Sequence, residues 1–208
     1  LVVGAHHGTG ALVVEAARAA GVHVDAFVGD VLDHDAVLRA LSGHDAVISL
    51  LGPRADSPVD VCSRGTANIV GAMTATGVSR LVVVTGAMIG HDPVHLGLLY
   101  RTIQHFLPHE LLDDRRASEA IVRDSDLQWT IVRPPRLTDG DAGPVQVDTD
   151  LDVGAFAHLS RASLWRRSWC TRCVRVGGCI RVWLCRPPDR RRAERRGLLR
   201  CVALRCVR

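Results

Sequence analysis

Apolar and polar positions along the chain follow two alternating periods. Leu1-Val2-Val3 is a short apolar run halted by Gly4, the pattern of a strand buried on both faces of a parallel sheet. Leu12, Val13, Ala16, Ala17 and Ala20 then recur at helical spacing, and Gly21 ends that run. VHVDAFVGD (22–30) reads as a second strand, residues 34–42 as a short helix closed by Gly43, and DAVISLLG (45–52) as a third strand ending at Gly52. The spacing predicts a helix over 60–76, capped by Gly77, and then RLVVVTGA (80–87), the most strongly β-branched strand in the chain. Residues 95–107 and 113–124 carry helical patterns, and LQWTIVRPP (127–135) is a last strand broken by Pro134-Pro135. Strands separated by helices specify βαβ units, and hence a doubly wound α/β domain around a parallel sheet.

Charge divides the chain where the alternation stops. Residues 1–164 hold 12 Arg against 20 Asp and Glu, a net of −8, whereas residues 165–208 hold 14 Arg against Asp189 and Glu194, a net of +12. Cysteine divides the same way: Cys62 alone lies in the body, and the rest begin at Cys170. The chain contains no lysine. A length of 208 residues suits one full domain, expected over 1–164, with 165–208 as an appended tail. No apolar run reaches the ~18–20 residues of a membrane span. Leu1 stands inside a strand-like run, so no signal peptide is expected. A body with one cysteine suits a reducing compartment, so a cytoplasmic protein that binds no membrane is expected.

The chemistry-bearing stretch of the body is GAHHGTG (4–10). A glycine-rich turn that closes the first strand and opens the first helix aims backbone N–H groups and the positive helix end at an anion. Gly4 permits the tight turn and Gly10 a close helix–sheet approach. A metal fits less well: adjacent His6 and His7 point to opposite sides of an extended turn, and the loop holds no Cys, Asp or Glu to complete a set of ligands. His91, His95, His105 and His109 flank or lie in the 95–107 helix. His105 and His109 share a face, but without the glutamate of H-E-x-x-H a solvated or substrate-lining face is expected, and no metal.

GAHHGTG resembles the GATGxTG loop of atypical short-chain dehydrogenase/reductases. VGDVLDHDAVLRALSGHDAVISLLGP, RGTANIVGAMTATGVSRLVVVTGA and SDLQWTIVRPPRLTDG resemble later landmarks of that group, in the same order. The resemblance covers about residues 1–164 and is closest to the NAD(P)H-binding proteins that include biliverdin-IXβ/flavin reductase and the NmrA-like proteins. It implies a Rossmann-like single domain with NADP or NAD lying across the C-terminal ends of the strands. Cofactor contacts are then expected at Gly4, Ala5, His6, His7, Gly8, Thr9, Gly10, Asp30, Val31, Leu51, Gly52, Thr85 and Pro134.

The chain departs from that family in three places. His7 stands where the family has a glycine beside the pyrophosphate, with Gly8 next to it. VHVDAFVGD fuses the ends of two family strands, so a shortened second/third strand region is expected. Asp30 therefore has two readings: its spacing from Gly10 suits the acid that binds a ribose, and its resemblance places it in the GD pair near the adenine. No arginine matches the one that would read a 2′-phosphate. From Trp165 the resemblance stops. Cys170 and Cys173 form a single C-x-x-C, followed by Cys179, Cys185, Cys201 and Cys206, which lacks the paired second half of a zinc site. All-arginine usage points to GC-rich codons, and reading such DNA out of frame yields Arg, Cys, Trp, Gly and Pro. The tail thus reads as disordered or as a shifted-frame translation, with no specific nucleic-acid partner.

Ordinary short-chain dehydrogenases use a Tyr-x-x-x-Lys pair. Here Tyr100 is the only tyrosine, and Gln104 stands where the lysine would be. That absence suits the flavin/biliverdin-reductase-like group, in which the protein positions cofactor and acceptor for direct hydride transfer. The expected partner is a small flavin- or quinone-like acceptor. Thr85 matches the family's hydroxyl near the nicotinamide and is the catalytic candidate, although Gly86 replaces the serine that often follows. Arg133 and Arg136, around Pro134-Pro135, are candidates for an anionic substrate or for surface salt bridges. Asp113, Asp114, Arg115 and Arg116 read as a charged helix start. The alternatives are a non-catalytic NmrA-like dinucleotide sensor and an inactive truncated gene product.

Overall fold

The computed structural model describes residues 1–6, 8–89, 102, 106–141, 145–148, 158–161 and 178–184. Strand β1 (Val2–Val3) leads through the glycine loop into α1 (Thr9–Ala19). There follow α2 (His34–Ala40), β2 (Ala46–Ser49), α3 (Val61–Thr76), β3 (Arg80–Val84), a 3-10 turn at Ala87–Ile89, α4 (His109–Arg123) and β4 (Gln128–Arg133). Short strands β5 (Arg136–Thr138), β6 (Val145–Asp148), β7 (His158–Ser160) and β8 (Gly178–Leu184) complete the described elements. One six-stranded sheet runs β1-β2-β3-β4-β8-β6, parallel except where β6 meets β8, and β5 pairs with β7 apart from it.

Both faces of the sheet are covered, which explains the unbroken apolar runs. All five residues of β3 are buried. Leu81 and Val83 point with Val3, Val47 and Ile131 toward Ile69, Met73 and Val122 of α3 and α4. Val82 and Val84 point with Val2 and Val132 toward Val13 and Val14 of α1. This is the Rossmann-like, doubly wound arrangement. Helix ends match their sequence signals: Asp33 caps α2 by accepting from the Ala36 N–H at 3.1 Å, and Gly77 closes α3 at φ +75°.

The second strand expected over 22–30 is reduced to one residue. Ala26 bridges Val2 in parallel, with Val2 N–H donating to Asp25 and Phe27 N–H donating to Val2. Gly29, at φ +152°, and the turn at Asp30 then carry the chain away from the sheet. Even one residue there fixes the topology, because the chain lies on one side of β1 at Ala26 and returns on its other side at β2. Strand order therefore reverses between the ends of β1 and β2, where open α/β sheets bind ligands.

The expected 95–107 helix lies outside the described residues but for Thr102, Phe106 and Leu107. The helix expected over 113–124 starts earlier, directly after Pro108, whose fixed φ suits a helix entrance. Gly178–Leu184, inside the segment read as a tail, forms β8 and pairs in parallel with β4. Among the described residues no helix is long and apolar enough to cross a membrane.

Candidate functional site

The glycine loop is built around two contacts that exclude side chains. A Cβ on Gly10 would stand 2.0 Å from the Gly4 carbonyl oxygen, and one on Gly4 would stand 2.6 Å from the Leu50 carbonyl oxygen. Gly4 is also at φ +80°, a region L side chains avoid. The loop, α1 and the end of β2 are thus in van der Waals contact, and the switch point is as narrow as backbone allows. Gly8, at φ +55°, is the N-cap of α1, and, its chain neighbours aside, a Cβ there would meet none of the described residues within 4 Å. Among the described residues no side chain caps α1, and its first turn, Thr9-Gly10-Ala11-Leu12, carries no acid. The first N–H groups of α1 therefore remain available to an anion. This donor set fits a dinucleotide pyrophosphate.

Ala5 is buried in the α1-side core, and Thr9 is half-buried at the helix start. His6 Nε2 donates to the Phe27 carbonyl at 3.0 Å, so this ring ties the loop to the shortened strand region. His7 lies outside the described residues. Asp30 is exposed, and its Oδ1 accepts from the Leu32 N–H at 2.9 Å. Val31 is buried, and its carbonyl accepts from Asn68 Nδ2 at 2.9 Å. Leu51 packs on Gly65 of α3, where a Cβ would come within 2.9 Å of both Leu51 Cδ1 and Val31 Cγ1. The expected contacts at Val31, Leu51 and Gly52 are thereby brought to one rim of the sheet, alongside the glycine loop.

Helix α4 supplies the next part of that rim. Asp113 to Arg116 are not a helix start, because α4 begins at His109, which is exposed. Asp113 pairs with Arg116 at 2.8 Å on the surface. Asp114 instead turns inward, where its two oxygens accept from the Cys62 and Ser63 N–H groups at 3.0 and 2.8 Å and cap α3. A Cβ on Gly52 would stand 3.4 Å from Nη2 of Arg115, which places that guanidinium beside an expected cofactor contact. Burial pushes the Cys62 thiol up to about 12; the Arg115 charge opposes this and Asp114 adds to it. Such a thiol stays protonated and is no nucleophile at neutral pH.

At the ends of β3 and β4 the site closes on a buried carboxylate. Glu119 of α4 is 1% exposed. Its Oε1 accepts from Thr85 Oγ1 at 2.7 Å and from Arg133 Nε at 3.0 Å. Its Oε2 accepts from Arg133 Nη2, and from Arg123 Nη2 at 3.1 Å. Arg133 is thus the inner half of a buried ion pair, and neither a surface bridge nor a guanidinium open to substrate; only Arg136 of the two is exposed. Pro134 is buried, and its carbonyl accepts from the Ala87 N–H at 2.8 Å, while Thr85 N–H donates to Val132 at 2.9 Å. Thr85 and Pro134 are therefore locked side by side.

Glu119 is the buried carboxylate that periodicity passed over, while Asp114 and Arg115 were read only as charges at a helix start. The signal for Glu119 was present, since it falls seven residues after buried Leu112 and three before buried Val122, a charge on the apolar stripe of its helix. Tyr100, Gln104, His91, His95 and His105 lie outside the described residues, as do Cys170, Cys173, Cys185, Cys201 and Cys206.

A model of a family described as NAD(P)H-binding matches residues 3–165. Solved structures of the same fold include a wide-type short-chain dehydrogenase/reductase from Veillonella parvula DSM 2008 in complex with NADP, with a TM-score of 0.72 at 14% identity over 88% of this chain and 92% of that one. The anaerobillin reductase of Escherichia coli O157:H7 superposes with a TM-score of 0.69 at 19% identity over 90% and 96%. A Rossmann-fold NAD(P)-binding family protein from Shigella flexneri gives 0.62 at 21% identity over 88% and 91%. At these identities the likeness is one of fold. The matched segment takes in the glycine loop, the switch point and the Thr85–Pro134 rim, so the chain belongs to the NAD(P)H-binding family, with a nicotinamide dinucleotide as its cofactor.

Proposed function

We propose that this protein is an NAD(P)H-dependent reductase acting on a flavin- or quinone-like acceptor. The observation that carries the reading is the engagement of Thr85. Its hydroxyl proton is given to Glu119 at 2.7 Å, so the candidate hydroxyl at the strand ends holds no proton ready for a substrate. The chain has no lysine to lower the pKa of a tyrosine. A site of this kind suits an acceptor whose protons come from solvent once it has taken two electrons as hydride.

In this reading the cofactor supplies the hydride, and the protein supplies position. The N–H groups at the start of α1, with Gly4, Gly8 and Gly10, hold the pyrophosphate. Asp30, Val31, Leu51 and Gly52 line the adenosine side and middle of the crevice, and Thr85 and Pro134 the nicotinamide end. The Arg115 guanidinium, beside Gly52, adds a positive charge that favours an anionic cofactor or acceptor. Removing an alcohol's proton, by contrast, calls for a positioned base worth about 10²–10⁴-fold in rate.

Steady-state oxidation of NADPH and NADH against riboflavin, a soluble quinone and a panel of aldehydes checks this. Turnover is expected with the flavin or quinone, and rates at least about 100-fold lower with aldehydes. Efficient aldehyde reduction refutes the reading. Tight dinucleotide binding without turnover of any acceptor would favour a dinucleotide-sensing regulator.

A further inference from the structure

We propose that Glu119 is a positioning residue that makes Thr85 a hydrogen-bond acceptor for the carboxamide N–H₂ of the nicotinamide ring, and so sets a preference for an amide at that ring position. The inference rests on the cofactor reading above, with Thr85 at the nicotinamide end.

A hydroxyl has one proton and two lone-pair sites. The Thr85 proton is directed at Glu119 Oε1, which also accepts from Arg133 Nε while Oε2 accepts from the Arg123 and Arg133 guanidiniums, so both oxygens serve as acceptors. Glu119 is itself immobile: it is 1% exposed, and Arg133 grips both its oxygens from β4 while Arg123 holds Oε2 from one turn along α4. Thr85 is half-buried, and the remaining face of its oxygen carries lone pairs alone. Whatever meets that face has to donate. Among groups on a pyridine ring of this size, a carboxamide donates through its nitrogen, and an acetyl group of nearly the same shape cannot.

The test is calorimetric binding of NADP⁺, NAD⁺ and the 3-acetylpyridine counterpart of whichever binds more tightly. Wild type is expected to favour the amide by about fivefold, the scale of one net hydrogen bond. In Glu119→Gln, the side-chain oxygen is expected at the Oε2 position, where it keeps the Nη2 donors of Arg123 and Arg133, and the amide nitrogen faces Thr85 at the cost of the Arg133 Nε bond; the Thr85 hydroxyl then reverses and donates outward. The preference is expected to fall within about twofold or to invert toward the acetyl analogue. Should that variant fail to fold for want of charge on the two arginines, Thr85→Val is expected to erase the preference and Thr85→Ser to keep it. A wild type indifferent to the exchange, or a preference unchanged in Thr85→Val, overturns the proposal. Failure of wild type to bind any of these dinucleotides overturns the cofactor reading instead.

Discussion

At Gly10 one methyl group separates a closed loop from an open one. Alanine there would place its Cβ 2.0 Å from the Gly4 carbonyl oxygen and 2.8 Å from Ala5 Cα, backbone atoms that no side-chain rotation can move aside. Helix α1 would have to lift off β1, disturbing the packing of Val13 and Val14 on Val2. Gly10→Ala is expected to cost about 1–3 kcal/mol in urea unfolding, the usual range for overpacking, and to weaken dinucleotide binding at least tenfold. Unchanged binding would show that the loop is not the pyrophosphate site. The loop's role was legible because glycine chemistry is local. Thr85 and Arg133 were legible as candidates too, but their states were not. Their shared partner Glu119 is 34 residues from one and 14 from the other, and only tertiary packing brings the three together.

Between elements, α3 and α4 are joined by polar contacts that hold the rim of the site. Asp114 caps α3 from 52 and 51 residues further along the chain through the Cys62 and Ser63 N–H groups, and the Thr66 and Ser118 hydroxyls meet at 2.8 Å in the interior. Helix α3 would otherwise begin without a side-chain cap, since Asp60 at its N-cap position makes none. Asp114→Ala leaves two N–H groups unpaired, one of them buried, and is expected to lower stability by about 1–3 kcal/mol. Asp114→Asn, with one accepting oxygen, should recover part of that loss. Urea midpoints of the two variants measure both, and an Ala variant as stable as wild type would exclude the cap. Periodicity found α3 and most of α4 but misread the charged run in α4, because a carboxylate that caps another helix has the same sequence as one facing water. The strand expected over 22–30 failed for a related reason. Its apolar residues suit a strand, but Gly29 and Asp30 turn the chain so soon that only Ala26 pairs.

Across the whole molecule the sheet continues past the point where composition changes. The body's net charge of −8 and the final segment's +12 suggested separate histories for 1–164 and 165–208, yet the described strand β8 comes from the latter. In the sheet, Thr130, Ile131, Val132 and Arg133 pair with Gly178, Cys179, Ile180 and Arg181 in parallel, and β6 joins only through β8. Such a pairing has no local sequence signature, since it needs two stretches far apart in the chain. It also bears on the site, because β4 carries Arg133 and leads into Pro134. A proline at Ile180 tests it through backbone alone: it removes an N–H from a strand with neighbours on both sides, where proline is not tolerated. If β8 is part of the folded sheet, Ile180→Pro should lower stability by about 3 kcal/mol and speed amide exchange in β4 at Ile131–Arg133. If the final segment is a shifted-frame appendage outside the cooperative fold, the variant should unfold at the wild-type urea midpoint with the same slope, and β4 amides should exchange as before. The two outcomes differ by a large share of a domain's stability margin of roughly 5–15 kcal/mol, so one pair of denaturation curves decides whether the basic segment belongs to the fold.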